Sequence, residues 1–196
     1  YLACTESFVP IFKIDFEHEK LISAYGCEPL ETAFSLPRLT MDTLLTARGA
    51  GIGGHGHPQP EPALYDALLR FAGAVFSDIK GWKNTCSYLQ TGCAEYYDER
   101  NPLIFSCPAF LHRPDGMKVL PDMKFLELAQ ELGLIYGLRK KYENLSFTFS
   151  KDSVKKYMTD FGTWLELFCY IELKKSDLFD DVRLSVKINW DDPKKV

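Results

Sequence analysis

The segment that most constrains the fold of this chain runs from Thr163 to Lys174 and is apolar on most of its faces. A helix that is hydrophobic nearly all round is expected to be buried in a core. Residues 180–188 follow with strict alternation of apolar and other side chains, which predicts a strand. We therefore expect a buried helix and then a strand near the end of this sequence.

The composition is that of a soluble globular protein. Apolar residues make up 46% of the 196 residues and charged residues 26%, which is enough for one ordinary domain or two small ones. The net charge of -4 argues against a broad basic surface that wraps nucleic acid. It is compatible with a nuclease, because such an enzyme needs acidic metal ligands and only a local basic groove.

Targeting signals are not evident in the sequence. No run approaches the roughly 18 apolar residues of a membrane helix. The first residues contain no Met and no signal-peptide pattern, so we expect the interior of a longer chain.

Six cysteines are present and no C-x2-C pair is found among them. A structural zinc site is therefore disfavoured. Several of the cysteines lie within apolar runs, so we expect free, mostly buried thiols in a reducing cytosol. The cysteines are Cys4, Cys27, Cys86, Cys93, Cys107 and Cys169.

The first third of the chain predicts a hairpin followed by irregular structure. Residues 9–16 and 21–25 have strand character around a polar turn. Residues 28–62 are dense in Gly and Pro. Within them Thr40 is a helix cap and Gly49 a helix end. The glycine-rich residues 49–58 predict a flexible loop.

The middle of the chain predicts helices and a second hairpin. Residues 62–77 have helical spacing with one buried face, and residues 82–89 predict another short helix. Residues 91–122 are expected to be irregular with a short strand. Asp122 caps a helix that ends at Gly133, and two apolar strands follow around Arg139-Lys140-Lys141. A winged-helix module has this order, and so do other small α+β domains.

Within the apolar stretch at residues 161–170, Glu166 is the one carboxylate. A buried charge is costly unless it is paired or bound to a metal. Two interpretations are open: Glu166 points outward or pairs with Lys174 or Lys175, or it belongs to a metal site.

The stretch Gly162-x-Trp164-Leu165-Glu166, followed by an apolar helix and an alternating strand, resembles the start of a nuclease domain. The family in question is prokaryotic and accompanies type III CRISPR systems. Its members join an N-terminal CARF domain, which senses cyclic oligoadenylate, to a C-terminal PD-(D/E)xK nuclease. Residues 12–22, 39–49 and 125–135 also resemble parts of that family, whereas residues 50–120 match it poorly.

The resemblance implies a role for Glu166 as a catalytic and metal-binding residue. In the family the helix glutamate lies beside the metal site, and an Asn-Glu-x-Asp segment and a Glu-x-Lys strand complete it. These later motifs have no counterpart here, because the sequence stops at Val196. Asp191 and Asp192 are not substitutes for them, since their position beside Pro193 predicts a turn. Two or more carboxylates hold Mg or Mn, which activates water. We expect the metal in the complete protein, no tight binding by this chain, and no phosphodiesterase activity from it.

We accordingly predict an α+β chain in three parts. Residues 1–30 would be the last hairpin of a CARF-like sensor, and residues 31–152 a central linker or winged-helix-like module. Residues 153–196 would be the first helix and strand of an incomplete restriction-endonuclease-like domain. The resemblance implies a cytoplasmic prokaryotic homodimer that binds cyclic oligoadenylate and cuts nucleic acid. The alternative is a non-catalytic connector that binds nucleic acid or protein, with Glu166 structural.

Three other sequence patterns are possible binding sites. His55 and His57 would ligate a metal if a third ligand came from elsewhere, and a solvated loop is the simpler interpretation. The adjoining glycines are not a P-loop, since no Lys-Ser/Thr follows them. Short basic clusters are candidate contacts to a nucleic-acid backbone, although such clusters are often solvated surface. These basic residues are Arg139, Lys140, Lys141, Lys155 and Lys156.

Overall fold

The computed structural model describes residues 11–15, 20–25, 31–33, 40–112 and 116–190. It confirms the α+β class. The chain divides into two compact units, residues 1–39 and residues 40–196. Within the described ranges, none of the helices has both the length and the apolarity required to cross a bilayer.

The first unit is a small antiparallel sheet. Strands β1 (Ile11–Asp15), β2 (Lys20–Tyr25) and β3 (Glu31–Ala33) are ordered β1-β2-β3. Asp15 pairs with Lys20 and Ile14 with Leu21, which confirms the predicted hairpin. The third strand lies at the start of the stretch that is dense in Gly and Pro, where no strand was predicted.

The second unit contains the helices and the remaining strands. Its helices are α1 (Met41–Thr46), α2 (Tyr65–Ser77), α3 (Ile79–Glu95), α4 (Met123–Glu131), α5 (Asp152–Met158) and α6 (Thr163–Ser176), with a short 3-10 turn at Pro62–Leu64. Its strands are β4 (Ala50–His55), β5 (Ile104–Pro108), β6 (Leu111–His112), β7 (Lys118–Val119), β8 (Ile135–Lys141), β9 (Asn144–Phe149) and β10 (Val186–Trp190).

Side-chain caps begin two of these helices as predicted, and a third cap, at Asp78, was not predicted. The side chain of Thr40 accepts a hydrogen bond from the Thr43 N–H at 3.2 Å, and that of Asp122 accepts from the Lys124 N–H at 3.2 Å. Asp78 accepts from the Gly81 N–H at 2.9 Å. Because of this cap, α3 begins earlier than the predicted short helix at residues 82–89.

An aromatic cluster joins α2, α3, α4 and α6. The ring of Trp164 lies 4.5 Å from that of Phe71 and 5.7 Å from that of Trp82, centroid to centroid. Phe125 lies 5.4 Å from Trp82. Edge-to-face contacts of this kind add to the stabilisation from burying the rings. The Trp of the Gly-x-Trp-Leu-Glu stretch is therefore a core residue.

A three-stranded sheet in the order β5-β9-β8 packs beside this core. Phe105 on β5 stacks on Phe147 of β9 with 4.8 Å between ring centroids. Gly92 in α3 permits the approach of that strand, because a Cβ there would lie 2.5 Å from the Phe105 ring. α4 followed by the hairpin β8–β9 agrees with the predicted order of elements, and the winged-helix assignment stays a prediction.

The prediction of a flexible loop at residues 49–58 is wrong for most of that segment. Residues 50–55 form β4, which pairs antiparallel with β10, with Ala50 opposite Trp190 and His55 opposite Val186. A Cβ at Gly53 would lie 2.4 Å from the Asn189 side chain, so a larger residue there would force that side chain to move. Glycines leave no alternation of side chains to detect, and the partner strand is distant in sequence.

The prediction of a buried helix at residues 163–174 is right for one face only. Trp164, Leu167 and Ile171 are buried, whereas Leu165 is 61% exposed and Leu173 39% exposed. The predicted strand at residues 180–188 is also shorter than expected. Ser185 has a φ of 50°, which interrupts extended backbone, so the strand begins at Val186.

The predicted division of the chain at residues 152 and 153 stays a prediction. Elements on both sides of that point contribute to one hydrophobic core, which includes Phe71 and Phe125 as well as Trp164 and Leu167.

Candidate functional site

A groove lies between α6 and the segment that leads into β10, and we call it the α6 groove. Its cavity has a volume of about 390 Å³. Carboxylate, ammonium, guanidinium, hydroxyl and thiol groups all line it beside apolar side chains. The lining residues are Glu166, Cys169, Tyr170, Leu173, Val182, Arg183, Leu184, Ser185, Val186 and Lys187.

Glu166 lies in the first turn of α6, is exposed, and lines the α6 groove. It makes no hydrogen bond or ion pair with the residues that the structure describes. The predicted partner Lys175 instead binds Asp66, with 2.7 Å between Nζ and Oδ1. Glu166 therefore points outward and does not pair with Lys175. Its carboxylate is accessible to a ligand in the groove.

The guanidinium of Arg183 in the groove is neutralised by two carboxylates. Its Nη2 lies 2.6 Å from Oδ2 of Asp42, and its Nε lies 3.1 Å from Oδ2 of Asp181. The Met41 N–H also donates to Asp181 at 3.0 Å. The Met41 N–H and Arg183 hold the pKa of the Asp181 carboxyl below its usual range. These contacts join α1 to the segment before β10.

His57 and Asp160 fix the start of α6. Nε2 of His57 lies 3.0 Å from Oδ2 of Asp160 and 3.0 Å from Oγ1 of Thr163. A carboxylate only accepts hydrogen bonds, so Nε2 carries the hydrogen. Asp160 also accepts from the Gly162 N–H at 2.9 Å. The loop after β4 is thereby bound to the first turn of the helix that carries Glu166.

A metal site based on the two histidines gains no support. Nδ1 of His55 lies 3.1 Å from the Leu184 carbonyl oxygen, and His57 is directed at Asp160. Among the described residues, no group of three His, Cys, Asp or Glu side chains is placed to hold a metal ion. The α6 groove offers Glu166 alone as a carboxylate, which does not suffice for Mg or Mn. The catalytic and metal-binding roles of Glu166 stay predictions.

The five basic residues that are predicted to contact nucleic acid fall into two groups. Arg139, Lys140 and Lys141 are exposed on β8 and form no ion pair with a described residue. Lys156 pairs with Asp152 at 2.8 Å. Nζ of Lys155 donates to the Pro102 carbonyl at 2.7 Å. The hairpin cluster is therefore better placed for a partner than the α5 lysines are.

The four cysteines in the described ranges are free thiols. Cys86 and Cys107 are buried, Cys93 is half-buried and Cys169 is exposed in the α6 groove. Burial raises the pKa of Cys86 to about 12 and that of Cys107 to about 11. Cys4 and Cys27 lie outside the described residues.

No family model matches this sequence, and no curated protein matches it. Among solved structures, the chain is similar to protein VC1899 from Vibrio cholerae, with a TM-score of 0.55 and 18% identity. The similarity covers 96% of this chain and 46% of that protein. At this level of identity it shows the fold alone.

A weaker similarity is to Can2 from Sulfobacillus thermosulfidooxidans, whose structure was solved in complex with cyclic tetra-adenylate. The identity is 16% and the TM-score 0.42, over 93% of this chain and 42% of Can2. A score this low supports no inference about the present chain. The chain spans less than half the length of either protein.

Proposed function

We propose that this chain is the middle part of a metal-dependent endonuclease that cyclic oligoadenylate activates in prokaryotic antiviral defence. The observation that carries the proposal is the position of Glu166. It stands at the start of α6, exposed to the α6 groove, with β10 following the helix. A helix glutamate followed by a strand is the arrangement that the Gly-x-Trp-Leu-Glu resemblance implies.

The surroundings of Glu166 suit a metal-binding role, but they do not supply the other ligands that a metal site needs. A free, exposed carboxylate keeps its lone pairs available, and a Mg or Mn ion held by it and by further carboxylates would activate water for phosphodiester hydrolysis. Lys187 lies on the opposite wall of the groove, where an ammonium group attracts a phosphate. The Asn-Glu-x-Asp segment of the family site is absent from these 196 residues. Glu172-Leu173-Lys174 lies on the helix α6 and is not the strand-borne Glu-x-Lys of that site.

The chain alone is accordingly expected to be inactive. It would be incubated with Mn²⁺ and labelled single- and double-stranded DNA and RNA, beside Glu166→Gln and Glu172→Gln variants. Glu172 is the matched control, because it is another exposed glutamate of α6. We expect no cleavage by any of the three proteins. Cleavage that Glu166→Gln abolishes and Glu172→Gln preserves would contradict the expectation.

Dimer formation, binding of cyclic oligoadenylate, cleavage of nucleic acid and a cytoplasmic location all belong to the proposal. They rest on the resemblance of residues 12–22, 39–49, 125–135 and 162–166 to the CARF nuclease family. The shared fold with VC1899 over 96% of this chain is consistent with a common architecture.

The second candidate is a connector that binds nucleic acid or protein without catalysis. The exposed apolar side chains of α6 favour it, since Leu165, Phe168 and Leu173 present a surface suited to another element or partner. The gene separates the two candidates. An Asn-Glu-x-Asp segment and then a Glu-x-Lys encoded beyond Val196 would support the nuclease, and a gene without them would leave the connector.

A further inference from the structure

The hairpin β8–β9 ends in a tight turn with an aromatic residue at its tip. The last cross-strand pair is Lys141 with Asn144, so Tyr142 and Glu143 form the turn. Tyr142 is 90% exposed. No described residue packs against its ring to account for a tyrosine at this position.

The backbone at Tyr142 makes the residue type unusual. Its φ is 53°, in the left-handed region that favours glycine and asparagine. Two-residue hairpin turns that need a positive φ most often contain Asn-Gly or Asp-Gly. A bulky aromatic side chain is strained there and gains nothing from burial. Strained residues without a packing role are candidates for function.

Three cations stand on β8 immediately before this tip. Arg139 lies opposite Ser146 and Lys141 opposite Asn144, whereas Lys140 lies opposite Leu145. Cross-strand partners share a face of the sheet, so the basic side chains flank the tip on both faces. An aromatic ring among unpaired cations is the arrangement that binds a base and its neighbouring phosphates.

The helix beside the hairpin argues for a single strand over a duplex. α4 contacts β8, where Oε1 of Gln130 accepts from the Leu138 N–H at 2.7 Å. The exposed face of α4 carries Glu127 and Glu131. The one exposed cation on that helix, Lys124, is bound by Asp78 and Asp122. Glu131 pairs with Arg70 at 2.8 Å, whereas Glu127 pairs with no described residue. A duplex with this helix in its major groove would bring its phosphates against the carboxylate of Glu127.

We infer that the tip of the β8–β9 hairpin binds single-stranded nucleic acid. Tyr142 stacks on a base, and Arg139, Lys140 and Lys141 contact the phosphates on either side. This inference rests on the proposed function, because it treats the bound strand as the substrate of the nuclease. Binding itself needs neither Glu166 nor a metal, so it is measured without cleavage.

The test is the affinity of the chain for fluorescein-labelled oligothymidylate, oligouridylate and a duplex of equal length, by fluorescence anisotropy in EDTA. Tyr142→Gly removes the ring and relieves the positive φ. We expect single strands to bind roughly tenfold more weakly, because the stacking of one base is lost. We also expect a higher melting temperature, because glycine adopts the positive φ without strain. Tyr142→Phe keeps the ring and the affinity. Tyr136→Ala is the control, because Tyr136 is another exposed tyrosine of β8, at 56%.

Salt dependence tests the three cations. The plot of the logarithm of the binding constant against the logarithm of the salt concentration has a negative slope. In the triple variant Arg139→Gln, Lys140→Gln, Lys141→Gln, we expect this slope to be less steep by about 2, since each phosphate contact with a single strand contributes about 0.7. The pair Lys151→Gln, Lys175→Gln is the control, because both lysines are already engaged, with Glu61 and with Asp66.

Three results would overturn the inference. They are no measurable binding of single strands, duplex binding as tight as single-strand binding, and wild-type affinity in Tyr142→Gly.

The proposed nuclease function is tested separately. If the complete protein cleaves and Tyr142→Gly binds normally, only the docking site is wrong. If Tyr142→Gly loses binding and the complete protein never cleaves, the docking site stands and the nuclease proposal fails.

Discussion

His57 connects segments that are 103 residues apart in sequence by its contact with Asp160. Its side chain is 17% exposed, and Thr163, its other partner, is buried. Removing one partner of a buried polar pair leaves the other without a hydrogen bond, which costs more than the net energy of the bond itself. The order of the first turn of α6, and with it the direction of Glu166, therefore depends on this histidine.

Replacing His57 by alanine is expected to lower the free energy of unfolding by about 1–3 kcal/mol, because Thr163 and Asp160 lose their shared partner. Urea denaturation followed by tryptophan fluorescence measures the change. His55→Ala is the matched control and should cost less, since its side chain is more exposed and makes a single contact with the Leu184 carbonyl. Equal losses in both variants would contradict the assigned role.

Single residues also show where sequence-based prediction succeeds. The caps at Thr40 and Asp122 are predictable because the cap and the helix it begins are neighbours in sequence. Glu166 stands out by resemblance, and its outward direction is a result of the structure. His57 has no local signal, because its partners lie on a distant helix.

At the scale of secondary-structure elements, α1 and β10 are held together through Asp181. Its carboxylate accepts from the Met41 N–H and pairs with Arg183, which also binds Asp42. The depressed pKa of Asp181 means that folding favours the ionised form. Its contribution to stability is present above the ordinary aspartate pKa of about 3.9. It is lost as the pH falls through the lower folded-state pKa.

Asp181→Asn is expected to lower the free energy of unfolding by about 1–2 kcal/mol at pH 7, because charge-assisted hydrogen bonds are lost. The difference in melting temperature from the wild type should shrink as the pH falls below about 4. Calorimetry at several pH values measures it, with Asp177→Asn as the control, since asparagine tolerates the left-handed backbone that Asp177 has. A pH-independent difference would show that the ion pair is not its source.

Elements differ in how far the sequence predicts them. Helices with one apolar face, such as α2 and α4, are predictable from periodicity. β4 was predicted as a loop because glycine carries no side-chain pattern, and its pairing with β10 depends on a contact distant in sequence. α6 is apolar on most of its faces, so its sequence does not distinguish the buried face from the exposed one. That distinction comes from the aromatic cluster around Trp164.

At the scale of the whole molecule, the chain consists of a small sheet and a larger α+β unit. It shares its fold with VC1899 over 96% of its length while spanning 46% of that protein. The larger unit contains the two surfaces that we propose as ligand sites: the α6 groove with Glu166, and the hairpin tip with Tyr142. In the proposed nuclease the first would serve chemistry and the second would hold the strand.

The measurement that tests the central claim most directly is cleavage by the complete protein encoded by the gene. Labelled single-stranded DNA and RNA would be incubated with Mn²⁺, with and without a series of cyclic oligoadenylates, for the wild type and the Glu166→Gln and Glu172→Gln variants. We predict cleavage that needs a cyclic oligoadenylate, falls to background in Glu166→Gln and persists in Glu172→Gln. Undiminished cleavage in a folded Glu166→Gln protein, or no cleavage with any activator, would contradict the account.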